Sequence, residues 1–148
     1  MIRVAPSLDP QAELAAFGAG HGDAGALASF VGLCRNENGV VSALELEHYP
    51  GFTESEIERI EGEARSRFAV LDVLIVHRTG RIEAGAPIVL VAVLAAHRKA
   101  ALHAVDFLMD YLKTDAPFWK RETGAGGSRW IEPSADDHGA RAGWKGKP

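Results

Sequence analysis

Residues 88–113 decide the fold, and they read IVLVAVLAAHRKAALHAVDFLMDYLK. The stretch over 88–95 is an unbroken apolar run of strand length, which is typical of a strand buried inside a sheet. From His97 onward, apolar residues return every three or four positions as far as Tyr111, which is the period of an amphipathic helix. The stretch therefore predicts a buried strand over 88–95 that leads directly into a long helix over 97–113.

Shorter elements flank this unit on both sides. Asp9-Pro10 is a helix-start signal and predicts a short helix over 10–17. The spacing of Thr53 and Glu56 matches a capping box, with Thr53 as the cap, and predicts a helix over 54–68. Residues 78–86 are expected to form a loop, and strands are expected over residues 2–4, 26–34, 40–49, 70–77, 118–122 and 128–131.

The order of these elements mixes hairpins with single helices, which favours an α+β fold with a mixed or largely antiparallel sheet. The apolar run over 26–34 is expected to be buried on both faces. The Asn38-Gly39 turn signal predicts a hairpin that pairs this run with the strand over 40–49. Residues 1–132 are expected to form one domain, and residues 133–148, rich in Ala, Gly, Asp and Lys, a mobile tail.

Composition excludes several classes of function. The 16 Lys and Arg against 20 Asp and Glu give a net charge of −4, so a general nucleic-acid binder is disfavoured. Cys34 is the single cysteine, and no spacing of Cys and His suggests a metal site. Apolar runs are far shorter than the roughly 20 residues of a membrane span, so a cytoplasmic protein without a membrane or nucleic-acid partner is expected.

Several cations stand at the ends of predicted elements: Arg35, His97-Arg98, Lys113 and Lys120-Arg121. Helix starts and arginine forks are suited to hold phosphate or carboxylate groups. Each residue also has an ordinary explanation, since Lys113 is favoured by the helix dipole and Arg35 by solvation. Spacing alone therefore supports an anion-binding α+β domain, with Cys34 as an inert core residue.

Residues 110–122, DYLKTDAPFWKRE, resemble the signature of the catalytic (large) subunit family of molybdopterin synthase. Further similarity follows in the order of that family, so the resemblance covers roughly residues 26–131. The segments that carry it are Gly32-Leu33-Cys34-Arg35-Asn36, Leu46-Glu47-His48-Tyr49-Pro50-Gly51, His77-Arg78-Thr79-Gly80 and Ala96-His97-Arg98.

The resemblance implies an α/β hammerhead-type fold, a homodimer of this subunit, and a heterotetramer with two small subunits. The implied partner is a small ubiquitin-like protein whose C-terminal Gly-Gly carries a thiocarboxylate. The implied reaction transfers two sulfur atoms to cyclic pyranopterin monophosphate (precursor Z) and forms the dithiolene of molybdopterin. No metal and no cofactor is implied for this subunit, and residues 1–132 become its single catalytic domain.

The resemblance also implies a set of site residues. Lys113 is expected to move protons as the cyclic phosphate opens, and Lys120 is expected to tune Lys113 or bind the partner's tail. Three stretches depart from the family pattern. A small or basic residue is common where Leu33 and Cys34 stand, a His-Asn pair is common at Glu37-Asn38, and many members carry an arginine within residues 133–137. The substrate-binding positions are Leu33, Cys34, Arg35, His97, Arg98, Lys113, Lys120, Arg121 and Glu122.

Two other interpretations stay open on the sequence: a non-catalytic anion- or nucleotide-binding module, and a hydrolase that depends on Cys34. One geometric expectation is independent of both. His97 and Lys113 lie on one predicted helix, which separates them by roughly 24 Å at 1.5 Å per residue. A pterin monophosphate is much shorter, so a site that uses both residues is expected to be shared between two copies in an antiparallel two-fold dimer.

Overall fold

The computed structural model describes residues 1–37 and 39–146, so Asn38 of the predicted turn and residues 147–148 of the predicted tail lie outside the described part. The described residues form four helices and two four-stranded sheets. The helices are α1 (Pro10–Gly18), α2 (Phe52–Arg67), α3 (Arg98–Asp115) and α4 (Ala135–Ala142). The strands are β1 (Ile2–Ala5), β2 (Ala26–Leu33), β3 (Val41–His48), β4 (Val70–Arg78), β5 (Gly80–Glu83), β6 (Pro87–Ala95), β7 (Phe118–Gly124) and β8 (Gly127–Ile131).

The two sheets differ in their pairing. The first sheet has the order β1-β4-β6-β2 and is mixed, since β1 runs parallel to β4 while β6 is antiparallel to β4 and β2. The second sheet has the order β5-β3-β7-β8 and is antiparallel throughout. The predicted α+β class with a mixed or antiparallel sheet is confirmed.

The main core forms between the first sheet and the helices α2 and α3. Strand β6 is buried from Val89 to Ala95, and its residues Val91 and Val93 meet Phe107 and Leu108 of α3 in one cluster. Helix α1 covers the opposite face of this sheet. The buried strand and long amphipathic helix predicted from residues 88–113 are therefore confirmed, and they fix where the end of α3 lies.

The predicted hairpin between β2 and β3 is wrong. Strand β2 pairs with β6 at the edge of the first sheet, whereas β3 pairs with β5 and β7 in the second. The backbone of Cys34 bonds to Gly85 and Ala86 at 2.6 and 2.8 Å, and this turns the chain from one sheet toward the other. Because β2 is an edge strand, Phe30 is 43% exposed, and the expected burial on both faces is also wrong.

The predicted cap of α2 needs a second correction. The Thr53 side chain is buried, where its hydroxyl accepts a bond from the Tyr49 N–H at 2.9 Å and donates to the Pro117 carbonyl at 3.1 Å. The helix therefore begins earlier, with Gly51 at the cap position and the Glu54 carboxylate accepting from its N–H at 2.7 Å. By contrast, Asp9 caps α1 as predicted.

Two elements of the fold, β5 and α4, were not expected from the sequence. Strand β5 lies within the predicted loop over 78–86 and closes one edge of the second sheet. Helix α4 lies within residues 133–148 and packs against α3. The domain boundary at residue 132 and the mobility of that tail remain predictions.

Candidate active site

A cleft of about 800 Å³ opens where the two sheets meet the last turns of α3. Helix α3 contributes Met109, Leu112 and Lys113, and strand β7 contributes Lys120 and Glu122. The end of β4 contributes His77. The segment at the end of β2 adds Leu33, Cys34, Arg35 and Glu37. Six of the predicted site residues therefore line one cleft: Leu33, Cys34, Arg35, Lys113, Lys120 and Glu122.

The two lysines reach the cleft from different elements. Lys113 lies in the last turn of α3 with 54% of its side chain exposed, and its Nζ is 3.3 Å from Asp137 Oδ1. Lys120 lies opposite Leu46 and Ile131 on the inner face of β7, where it is mostly covered. Burial lowers the pKa of Lys120, the charge of Lys113 lowers it further, and the Asp137 carboxylate acts in the opposite direction.

His77 forms part of the cleft floor beside Lys120. Its ring stacks on Phe118 with the ring centroids 3.8 Å apart, and its Nδ1 lies 2.9 Å from the Arg78 carbonyl oxygen. A carbonyl only accepts, so Nδ1 carries the proton. Burial lowers the pKa of His77 to about 4, although the bond to Arg78 opposes this. His77 is neutral at pH 7 and adds no positive charge to the cleft.

The buried neutral His77 predicts a pH-dependent stability. Between about pH 6.5 and 4 the unfolded chain binds a proton at this position that the folded chain does not, so the free energy of unfolding falls as the pH falls. The full loss is about 3 kcal/mol. Urea denaturation at several pH values should show a smaller acid-side loss in His77→Asn than in the wild type.

The exposed His103 on α3 supplies the matched control for that measurement. His103→Asn should retain the acid-side loss of the wild type. Parallel pH curves for His77→Asn and the wild type would contradict the assignment of this loss to His77.

Three further cleft residues have distinct environments. The Cys34 thiol is buried, which raises its pKa, so it is a poor nucleophile in this state. Arg35 is exposed at the mouth and pairs with Glu37. Glu122 faces the cleft and accepts a bond from Arg129 at 3.0 Å.

Arg121 does not line the cleft with its neighbours in sequence. Successive residues of a strand point to opposite faces, so Lys120 and Glu122 face inward while Arg121 faces outward. On the outer face it pairs with Glu45 and lies 5.6 Å from the centre of the Trp130 ring. The outward direction of Arg121 could not be predicted from the sequence alone. It follows only when β7 is known to be a strand whose inner face carries Lys120.

His97 and Arg98 lie at the opposite end of α3 from Lys113. His97 is the N-cap residue, both side chains are exposed, and the helix runs without a break to Asp115. Within one chain, these two residues and Lys113 are separated by roughly 24 Å along the axis. The cleft of one chain therefore contains the lysines and Arg35 but not His97 or Arg98.

Within 1–37 and 39–146, no group of three or more His, Cys, Asp or Glu side chains is placed to hold a metal ion. No helix in the described part of the chain is long and apolar enough to cross a membrane.

The fold and the cleft together define an α+β protein with two lysines in one cleft. The chain belongs to the MoaE protein family, whose family model matches residues 5–115. The resemblance seen in residues 26–131 is confirmed, because a relative described below is named molybdopterin synthase catalytic subunit and a similar solved structure is described as a molybdopterin biosynthesis MoaE protein. The matched range includes Lys113 and ends before β7.

Named relatives extend the similarity to most of the chain. A Caulobacter vibrioides protein named molybdopterin synthase catalytic subunit is 55% identical over 129 residues, covering 87% of this chain and 86% of that protein. A solved structure described as the molybdopterin biosynthesis MoaE protein from Burkholderia ambifaria has a TM-score of 0.84 at 47% identity and covers 99% of both chains. A Helicobacter pylori complex of subunits 1 and 2 of molybdopterin-converting factor shares the fold, with a TM-score of 0.76 at 22% identity over 88% of this chain and 89% of that one.

Proposed function

We propose that this chain is the catalytic subunit of molybdopterin synthase, a sulfur-transferring enzyme of molybdenum cofactor biosynthesis. It transfers sulfur from the thiocarboxylated C-terminus of a small ubiquitin-like subunit to cyclic pyranopterin monophosphate. The observation that carries the proposal is the pair Lys113 and Lys120 in one cleft of a chain whose relative bears that name at 55% identity. We place the reaction in the cytoplasm.

The chemistry requires little from the protein beyond cations and proton transfer. The thiocarboxylate sulfur is the nucleophile, and each transfer forms a carbon–sulfur bond on the pterin while a carbon–oxygen bond there breaks. One leaving oxygen stays on the phosphate as its ring opens, and the other leaves as water. Water then replaces the sulfur on the partner, which leaves a carboxylate. A buried amine with a lowered pKa exchanges protons near neutral pH more readily than a solvated one, which suits Lys120. The exposed Lys113 suits the binding of the anionic group, so the structure favours the reverse of the division of roles expected from sequence.

We propose that two copies of the chain complete each site. Arg35, Lys113, Lys120 and Glu122 come from one copy, with Leu33 and Cys34 as the apolar wall. His97 and Arg98 come from the start of α3 in the other copy, since they are too distant within one chain. Arg121 faces away from this cleft, so the proposal leaves it out of the substrate contacts made by its own chain.

The small subunit is the partner that the proposal requires. The Helicobacter pylori structure that shares this fold is a complex of two subunits, which supports such a partner here. A tail that ends in Gly-Gly has no side chains, so it fits a narrow entrance that bulkier residues block. Two catalytic and two small subunits then make the heterotetramer.

Reconstitution with a purified thiocarboxylated partner tests this function. We expect the mixture to convert cyclic pyranopterin monophosphate to molybdopterin, which is measured by chromatography of the oxidised product. A partner whose final glycines are both replaced by valine should still dock but should lose transfer by at least an order of magnitude. Equal transfer by the valine tail would contradict the proposal of a narrow entrance. Binding of the pterin without turnover would favour an anion-binding module instead.

Cys34→Ala should leave turnover within about twofold of the wild type, since the sulfur comes from the partner and the thiol is buried with a raised pKa. The measurement is the rate of product formation, together with mass spectrometry of the wild-type chain during turnover. A persulfide or acyl adduct on Cys34 would contradict the proposed mechanism and would favour the hydrolase interpretation.

A further inference from the structure

Helix α4 brings a carboxylate to the rim of the cleft. Asp137 lies in its first turn, and its Oδ1 accepts a bond from Lys113 Nζ at 3.3 Å. Its Oδ2 is occupied separately, because the Ser134 N–H and hydroxyl donate to it at 2.9 and 2.8 Å. One oxygen of Asp137 therefore belongs to the helix cap, and the other faces the lysine.

The position of Asp137 is imposed by the way α4 is attached to α3. Arg141 donates to Asp115 at 2.7 Å and lies 4.7 Å from the centre of the Tyr111 ring. The Trp144 indole N–H donates to Asp110 at 2.6 Å. These contacts hold α4 against the last two turns of the helix that carries Lys113. The packing of the two helices therefore places Asp137 beside Lys113.

Asp137 differs from the other acidic residues at the cleft because its partner is one of the two lysines. Of the other acids at the cleft, Glu122 is bonded to Arg129 and Glu37 is paired with Arg35. Asp137 also opposes the lowering of the pKa of Lys120. Titratable or charged groups line the cleft from four parts of the fold. They are His77 on β4, Lys120 and Glu122 on β7, Lys113 on α3, and Cys34, Arg35 and Glu37 in the segment at the end of β2.

We propose that Asp137 is a positioning residue, the resident counter-ion of Lys113, which an incoming anionic group displaces. This inference rests on the proposed function. The displacing group is a phosphate or a carboxylate, supplied either by the pterin monophosphate or by the tail of the partner. The exchange keeps Lys113 at the rim in the empty enzyme and releases its ammonium group only when an anion takes the place of Asp137.

The test compares Asp137→Asn with Asp136→Asn, whose carboxylate lies in the same helix turn and is exposed. Removal of the resident carboxylate should strengthen binding of the displacing ligand by about two- to fivefold, the range of an exposed ion pair. Calorimetry with the pterin monophosphate and, separately, with the partner bearing an unmodified carboxylate tail shows which of the two supplies the anion. In steady state, the KM of that ligand should fall while kcat does not rise.

A titration of the lysine side chains by NMR provides a readout that needs no turnover. In Asp137→Asn the pKa of Lys120 should fall, because a nearby negative charge is lost. Asp137→Glu should restore it. Ser134→Ala, which removes the cap but keeps the carboxylate, should lower the free energy of unfolding without this effect on Lys120.

The outcomes separate this inference from the proposed function. If the wild type fails to turn over while Asp137→Asn still lowers the pKa of Lys120 and tightens binding of inorganic phosphate, the counter-ion role stands and the enzyme assignment fails. If turnover is normal but Asp137→Asn matches Asp136→Asn in titration and in both affinities, the counter-ion role is overturned.

Discussion

Lys113→Ala is expected to abolish molybdopterin formation while the protein remains folded. The side chain lies in the last turn of α3 with 54% exposed, and its ion pair with Asp137 spans 3.3 Å. Exposed pairs of this kind contribute little to stability, so the free energy of unfolding should change by no more than about 0.5 kcal/mol. Turnover in the reconstituted assay should fall at least a thousandfold, which corresponds to a loss of about 4 kcal/mol of transition-state stabilisation.

The control for this variant is Lys145→Ala, which removes an exposed lysine outside the cleft. It should retain wild-type turnover and stability. Circular dichroism and urea denaturation establish that both variants are folded. Near-wild-type turnover by a folded Lys113→Ala protein would exclude this lysine from the reaction.

Mixing Lys113→Ala with Arg98→Ala is expected to restore activity that neither variant has alone. If each site takes Lys113 from one copy and Arg98 from the other, a mixed dimer has one intact site and one doubly damaged site. With equal amounts and free exchange, about half of the dimers are mixed, so about one quarter of wild-type activity should return.

Subunit exchange must be shown independently, for example by mass spectrometry of dimers with one isotopically labelled copy. As a control, Lys113→Ala mixed with Lys120→Ala should recover nothing, because both lysines belong to the same cleft. Absence of recovery from the first mixture despite proven exchange would place the whole site within one chain, and the assignment of His97 and Arg98 would then be wrong.

The core of the fold was predictable because strong periodicity marks its central unit. Strand β6 and helix α3 carry continuous and helical apolar patterns, and both occur where expected. The pairing of β2 was not predictable in the same way. A turn signal is local, whereas the choice between β3 and β6 as the neighbour of β2 depends on long-range contacts that no spacing records.

The site was predictable as a set of residue types but not as a geometry. Element ends identified Arg35, Lys113 and Lys120, which the fold brings to one cleft. Arg121 was grouped with Lys120 because the two are adjacent in sequence, although a strand separates neighbours onto opposite faces. Asp137 was missed because residues 133–148 were expected to be mobile. Its capping box with Ser134, in a Ser-x-x-Asp spacing, was the signal present in the sequence.

The alternation along β7 constrains insertions and deletions in this part of the chain. Ala116 and Pro117 alone connect α3 to β7, and Lys120 is the third residue of that strand. If the start of the strand stayed at the same place beside β3, one residue added or removed in this connection would shift the pairing register by one residue. That shift would turn Trp119 or Arg121 into the cleft and Lys120 out of it. A change of two residues would preserve the parity of the strand but would bring a different inward-facing residue, Glu122 or Phe118, to the level of Lys113. The length of the segment between the two lysines is therefore as much a requirement of the site as the lysines themselves.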